Sequence, residues 1–126
     1  MRLDQMRFAI TALFFFLVVF PAGAGEVTPP GQVPFQFGLG QALFRSHCAE
    51  CHGEWAGGTD KGPPLLHDYY KPSHHGDGAF YLAVERGVRA HHWGFGNMPP
   101  IKGVAPNQIQ QIVRFIRWWQ RQNGIR

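Results

Sequence analysis

The chain has 126 residues, a formal net charge of +4 and only two cysteines. This length predicts one domain, and because no nucleic-acid-binding motif accompanies the positive charge, nucleic acid is not expected as a partner. The charge is unevenly distributed: every charged residue from Arg86 onward is Lys or Arg, and all acidic residues precede it. This basic stretch could steer an acidic protein partner, or it could simply be a solvated helix face.

The first 24 residues have the organisation of a secretory signal peptide. Arg2 and Arg7 flank a short polar start, a mainly apolar run extends from Phe8 to Phe20, and small residues at 22–24 suit cleavage before Gly25. The apolar run is shorter than the roughly 18 residues that usually span a membrane. We therefore expect export to a bacterial periplasm with removal of residues 1–24. Membrane association is expected only if this segment is retained.

Residues 25–37 are predicted to form a Pro-rich arm, because Pro29, Pro30 and Pro34 have no backbone N–H and fix φ. A first helix is predicted from Gly38 to about Glu50. Its apolar face repeats at helical spacing, at Leu39, Leu43, Phe44 and His47.

This helix leads into Cys48-Ala49-Glu50-Cys51-His52, which contains both cysteines. Two thiols at this spacing can form thioether bonds to the two vinyl groups of one haem, and the adjacent histidine can bind its iron. A redox disulfide of the thioredoxin type would require a βαβ context, and structural zinc would require further ligands, usually a second Cys/His pair. Neither pattern is visible, so haem attachment is favoured over these two alternatives.

A long irregular loop is predicted from Gly53 to Ser73, because it contains Gly57-Gly58 and Gly62-Pro63-Pro64. A loop of this length commonly wraps something. The carbonyl of one of these prolines could accept a hydrogen bond from Nδ1–H of His52 and so orient the imidazole. A plain turn is the alternative.

A second helix is predicted from Asp77 to Gly87. Asp77 could be the N-cap and Gly87 a C-cap, so the helix would have only about three turns and would depend on packing. Its apolar face is formed by Phe80, Leu82, Ala83 and Val84.

Residues from Val88 to Val104 are predicted to be irregular, and within them Met98 is followed by two prolines. The prolines hold the backbone extended, so the thioether could occupy the sixth coordination position of a haem iron. A methionine that fills the core of a loop is the alternative. His91 and His92 could also compete for that position, because neutral imidazole binds iron well.

The strongest helix prediction runs from Pro106 to about Gln122, with Gly124 ending it. Arg114, Arg117 and Arg121 are expected elsewhere on the surface. Phe115, Trp118 and Trp119 are expected to pack in the core. One apolar stripe is formed by Ile109, Ile112, Val113, Ile116 and Trp119.

The order of these features resembles the class I c-type cytochromes. The resemblance extends over nearly all of Gly38 to Gln122, and it rests on Gly40, Phe44, Cys48, Cys51, His52, Gly62-Pro63-x-Leu65, Met98-Pro99 and Phe115-Ile116-Arg117. It implies an all-α domain over residues 38–126, with about three main helices and long loops wrapped around one covalent haem. The first and last helices would cross where Gly40 meets Phe115.

The resemblance also implies a set of site residues. Cys48 and Cys51 would bind the haem covalently, and His52 would be the proximal iron ligand. Pro63 would accept the hydrogen bond from His52. Met98 would be the distal iron ligand, with His92 or His91 as the alternative.

The function implied is that of a periplasmic one-electron carrier with haem c, rather than an enzyme. Redox proteins with an acidic surface would be its partners, and the chain would be a monomer. One alternative is a dedicated cytochrome subunit of a dehydrogenase or oxidase complex. Another is a haem protein with a labile distal site that serves as a sensor or enzyme. A separate hypothesis is that five histidines come together to bind copper or zinc, namely His67, His74, His75, His91 and His92.

Overall fold

The computed structural model describes residues 27–126, so the predicted signal peptide at residues 1–24 lies outside the described residues. The described part contains four α-helices and one 3₁₀ turn, and its only β-type pairing is an isolated antiparallel bridge between Val88 and Met98. This confirms the all-α prediction. No helix in this part of the chain has the length and apolar character needed to cross a membrane. The helices are α1 (Phe35–His47), α2 (Ala49–His52), α3 (Asp77–Arg86) and α4 (Pro106–Gln122), and the 3₁₀ turn is Asp68–Tyr70.

Helix α1 begins at Phe35 rather than at Gly38, so the end of the predicted arm is helical. Pro34 precedes the first turn, where a missing N–H costs nothing, and the ring of Phe37 stacks on Trp118 with centroids 5.3 Å apart. The helix also ends earlier than expected. Cys48 leaves helical geometry at φ −125°, and the rest of the cysteine motif forms the separate one-turn helix α2.

Helices α1 and α4 cross at a glycine, as the family resemblance implied. Gly40 is buried, and a Cβ atom placed there would overlap the backbone carbonyl of Gln111 and lie 2.9 Å from Cβ of Phe115. One turn further along α1, the rings of Phe44 and Phe115 pack with centroids 5.6 Å apart. The absence of a side chain at Gly40 therefore sets how closely the two helices approach.

Most of the core comes from α4. Both faces of its C-terminal half are covered, because its large aromatic and aliphatic side chains pack against α1 and against the loop after α2. The predicted packing role of the aromatic residues is confirmed. The core cluster consists of Phe44, Ala56, Leu65, Ile112, Phe115, Ile116, Trp118 and Trp119.

One prediction for α4 was wrong, because Arg117 is buried rather than on the surface. Its guanidinium donates to the carboxylate of Asp77 at 2.7 Å and to the backbone carbonyls of Tyr70 and His75, at 2.6 and 2.5 Å. It also donates to Oε1 of Gln120 at 2.8 Å. A buried guanidinium is stable only when its donors are satisfied in this way.

The start of α3 also differs from the prediction. Gly76 is the N-cap, and Asp77 is the first helical residue without a capping hydrogen bond from its side chain. The carboxylate of Asp77 is used instead for the ion pair with Arg117. The predicted C-cap is confirmed, since Gly87 has φ 74°. On the predicted apolar face, Leu82 is 49% exposed and does not join the core.

Candidate haem-binding site

A large apolar pocket lies between α3, α4 and the loops on either side of α3. It encloses about 980 Å³ of empty space, part of which is open to solvent. Its apolar walls include Leu65, Phe80, Val84, Ile109, Ile112 and Ile116. The pocket is also lined by Cys48 and His52, from the cysteine motif, and by Met98, from the loop after α3.

His52 is held by the loop that follows α2. Its Nδ1 lies 2.8 Å from the carbonyl oxygen of Pro63. Because a carbonyl can only accept a hydrogen bond, Nδ1 carries the proton and Nε2 keeps its lone pair. Burial lowers the pKa of His52, an effect that the Pro63 carbonyl partly opposes. His52 is therefore a neutral imidazole with one nitrogen available as a ligand.

The loop is fastened to the cysteine motif at further points. The hydroxyl of Thr59 donates to the carbonyl of Cys51 at 2.7 Å. Gly62 is buried against the same residue, where a Cβ atom would lie 2.9 Å from the carbonyl oxygen of Cys51. Because Gly62 has no side chain, the loop can lie directly against Cys51. This close approach brings the carbonyl of the next residue, Pro63, within reach of His52.

The two cysteine thiols do not form a disulfide. Cys48 is half-buried on the pocket wall, and Cys51 is exposed on α2. Burial and the neighbouring Cys51 raise the pKa of Cys48 to about 11. Redox-active Cys-x-x-Cys pairs work with a lowered thiol pKa, so the environment of Cys48 does not suit thioredoxin-type chemistry.

The zinc alternative also finds no support at this motif. In the described residues, the cluster of potential metal ligands is formed by His74, His75 and His92, and it contains neither cysteine. A structural zinc at Cys48, Cys51 and His52 would need a fourth ligand beside them. The described structure brings no such residue into a cluster with them.

Hydrogen bonds at three points hold the loop that carries Met98. Its N–H and C=O pair with those of Val88 at 2.9 Å each. The side-chain oxygen of Asn97 accepts from the N–H of Ala90 at 2.9 Å, and the N–H of Ile101 donates to the carbonyl of Val84 in α3 at 2.8 Å. The thioether is thus presented to the pocket from a restrained backbone.

His91 and His92 line the same pocket as Met98, together with Tyr70 and Trp93. The indole Nε1–H of Trp93 donates to the hydroxyl of Tyr70 at 3.1 Å. Burial raises the pKa of Tyr70, and desolvation followed by the neighbouring imidazoles lowers the pKa of His92. Both side chains are therefore neutral near pH 7, and the structure brings the two histidines and Met98 to one cavity.

Residues 38–120 match the family model for cytochrome c. The chain belongs to the cytochrome c family. No curated protein and no solved structure matches it. Members of this family carry covalent haem c and transfer electrons, and Cys48, Cys51 and His52 have the spacing that haem attachment requires.

The residues around the pocket of this cytochrome suit a covalent haem. The walls are apolar, a thiol lies on one wall, and a neutral imidazole keeps a free lone pair. The expected cofactor, one covalent haem c, is thereby confirmed at the level of the family. Cys48 and Cys51 would form the thioether bonds, and a nitrogen or sulfur ligand from the pocket would bind the iron.

The residues that hold the pocket's loop in place were not predicted from the sequence. Gln120 is 1% exposed, and its Nε2 donates to the carbonyls of Leu65 and Tyr70 at 2.9 and 3.2 Å. Together with Arg117, it satisfies carbonyl groups along residues 65–75 from one side of α4. Because Leu65, Tyr70 and His75 all line the pocket, these two polar residues determine the shape of its wall.

Proposed function

We propose that this chain is a class I cytochrome c that carries one electron at a time between protein partners in the periplasm. In this proposal His52 is the proximal iron ligand and Met98 the distal one. The observation that carries it is the hydrogen bond between Nδ1 of His52 and the Pro63 carbonyl. That bond leaves Nε2 as an iron ligand in the pocket that Met98 also lines.

Haem c supplies an iron that gains and loses one electron. The part played by the chain is to hold its own ligands still while this happens. Pro63 fixes the ring of His52, and the pairing of Val88 with Met98 fixes the distal backbone. If His52 and Met98 both bound the iron, they would keep small molecules away from it, and the rearrangement on electron transfer would be small. Methionine ligation and the apolar walls favour the reduced form.

An acidic partner is supported by the surface near the pocket. Arg86 and Arg89 are exposed, and they flank Val88, which lines the pocket together with Ala90. Phe95 also lines the pocket and is 42% exposed. A small interface of this kind, apolar at its centre and positive around it, suits rapid and charge-steered encounters. Substitution of Arg86 and Arg89 by Glu should slow electron exchange with an acidic partner and weaken its salt dependence, whereas Arg126→Glu should not.

One alternative has a specific observation in its favour, namely that a histidine rather than Met98 is the distal iron ligand. His91 and His92 line the same pocket as Met98. If either one binds the iron, the distal ligand of the carrier is a histidine. If Met98 is instead readily displaced, the protein becomes a haem protein with a labile distal site, and a sensor or enzyme role gains support. A dedicated cytochrome subunit would have the same iron ligands as the proposed carrier. The two differ only in whether a partner enzyme binds stably.

The deciding experiment records the absorption and paramagnetic resonance spectra of the holo-protein during a redox titration. Met98→Ala, His91→Ala and His92→Ala are compared with the wild type. We expect only Met98→Ala to remove the methionine–iron charge-transfer band and to lower the reduction potential. An unchanged spectrum and potential in Met98→Ala, with a change in His91→Ala or His92→Ala, would overturn the proposed ligand pair.

A further inference from the structure

We propose that His74, His75 and His92 form a binding site for a borderline divalent cation, Zn²⁺ or Cu²⁺, that is separate from the haem iron. The sequence raised the idea of a second metal for five histidines without indicating which of them converge. The described structure brings these three together, with one ligand atom from each lying within 4.8 Å of the other two.

The spacing of the nitrogens fits a tetrahedral metal centre. Nε2 of His74 lies 3.4 Å from Nε2 of His92. Two nitrogens bound to one zinc at about 2.0–2.1 Å with tetrahedral angles would be roughly 3.3 Å apart. The two imidazoles are therefore already at the separation that a shared cation would impose. In the metal-free chain the same pair can share a single proton.

His75 has the outer hydrogen bond that metal-binding histidines usually make. Its Nδ1 contacts the backbone carbonyl of Tyr69, which can only accept. This contact places the proton on Nδ1 and leaves Nε2 as the nitrogen available for a metal. A carbonyl or carboxylate behind the ring commonly fixes the tautomer and orientation of histidine ligands.

The backbone under the cluster is also held in place. The N–H groups of His74 and His75 both donate to the carbonyl of Lys71, at 3.0 and 2.9 Å, which forms a turn. Arg117 binds the carbonyl of His75 from the core side. The ring of His92 stacks on Tyr69 at 4.4 Å with an interplanar angle of 23°. Pre-positioned ligands lose little entropy on binding, which favours affinity.

Ligand chemistry and access indicate the class of cation. Three imidazoles suit zinc or copper rather than magnesium or calcium, which prefer oxygen ligands. His74 is exposed, so a hydrated ion can reach the site from solvent. Three protein ligands leave a fourth tetrahedral position for water. His75 and His92 also line the haem pocket, so the cation would lie close to the redox centre.

The test is calorimetric titration of metal-stripped, oxidised holo-protein with Zn²⁺, which is redox-inert. We expect one equivalent to bind with a dissociation constant in the micromolar range or tighter. His74→Ala and His92→Ala should each weaken binding by at least about tenfold. His74→Ala is the cleaner variant, because this side chain is exposed and does not line the haem pocket. His47→Ala is the matched control, since it removes an imidazole outside the cluster and should leave the affinity unchanged.

A second readout identifies the ligands directly. Electron paramagnetic resonance of the Cu²⁺-loaded protein should show coupling to imidazole nitrogens that is reduced in His74→Ala. Absence of binding, or binding of equal strength in the wild type, His74→Ala and His92→Ala, would overturn the site. An equal loss of affinity in His47→Ala would also overturn it, because the cation would then bind elsewhere.

Discussion

Nε of Arg117 donates to the carboxylate of Asp77 at 2.7 Å, and so joins two helices across 40 residues of sequence. The two partners differ in environment, because the side chain of Arg117 is 8% exposed and that of Asp77 is 64% exposed. The ion pair itself is therefore well solvated on one side and contributes modestly. The larger contribution comes from the carbonyls of Tyr70 and His75, which Arg117 satisfies from inside the protein.

Replacing Arg117 should destabilise the fold more than replacing any exposed arginine. Arg117→Ala removes the donor to the carbonyl of His75 and leaves that of Tyr70 with only the longer bond from Gln120, and we expect it to lower the free energy of unfolding by about 3 kcal/mol. Arg117→Lys keeps the charge but loses the planar fork, so about 1–2 kcal/mol should be lost. Denaturant unfolding of the holo-protein followed by circular dichroism measures both. Arg114→Ala, on the exposed face of the same helix, should change stability by less than about 0.5 kcal/mol, and a loss equal to that of Arg117→Ala would contradict this account.

The crossing of α1 and α4 allows a test with two neighbouring glycines. At Gly40 a methyl group would overlap the carbonyl of Gln111, so Gly40→Ala should cost about 2–3 kcal/mol by forcing the helices apart. At Gly38 nothing lies within 4 Å of the added carbon, so Gly38→Ala should stabilise the helix by about 0.5–1 kcal/mol. Thermal unfolding of the two variants would therefore shift in opposite directions. Shifts of the same sign and size would mean that helix propensity, rather than the close approach, dominates at both positions.

The loop that carries Met98 should depend on Asn97. Asn97→Ala removes the acceptor for the N–H of Ala90, at a cost of about 1 kcal/mol. If Met98 is the distal ligand, as proposed, exogenous imidazole should then bind the oxidised haem about fivefold more tightly. Asn97→Asp retains the acceptor oxygen and should behave as the wild type, and Asn107→Ala on α4 is an unrelated control. Equal imidazole affinity in Asn97→Ala and the wild type would show that this hydrogen bond does not restrain the ligand.

Covalent attachment should depend on both thiols. The double variant Cys48→Ser, Cys51→Ser should show no haem on a denaturing gel stained for peroxidase activity, whereas each single variant should retain one thioether bond. Because the haem supplies much of the apolar surface in the pocket, the double variant should also be poorly folded. His47→Ala, which leaves the motif intact, should retain full staining. Haem that remained bound to the denatured double variant would mean that another residue forms the attachment.

Much of the fold could be predicted because its signals are local. Gly87 ends α3 with positive φ, as a glycine after an apolar periodic segment suggests. The spacing of Cys48, Cys51 and His52 indicated the cofactor without any knowledge of packing. The close approach of α1 and α4 at Gly40 was implied by the family resemblance, and the structure confirms it. Domain limits and the identity of the iron ligands stay predictions.

Residues whose role depends on distant partners were misassigned. Arg117 was expected on the surface because it is charged, yet it lies four positions after Val113 and three before Gln120, both of which are buried. That periodicity was a visible signal that its side chain points inward. Asp77 was expected to cap α3, but a cap and a buried cation compete for the same carboxylate, and only the tertiary structure shows which one prevails. Likewise, Leu39 fits the helical repeat but is 61% exposed, because α4 covers the other side of α1.

The position of Arg117 and Gln120 late in the chain has a consequence for the order of assembly. A ribosome releases the cysteine motif long before α4, and until α4 is available the carbonyls of Leu65, Tyr70 and His75 have no side chain to hold them. During this interval the wall of the pocket is unfinished. Because the last helix completes this wall, a chain truncated before Arg117 should accept haem at its two thiols but fail to enclose it.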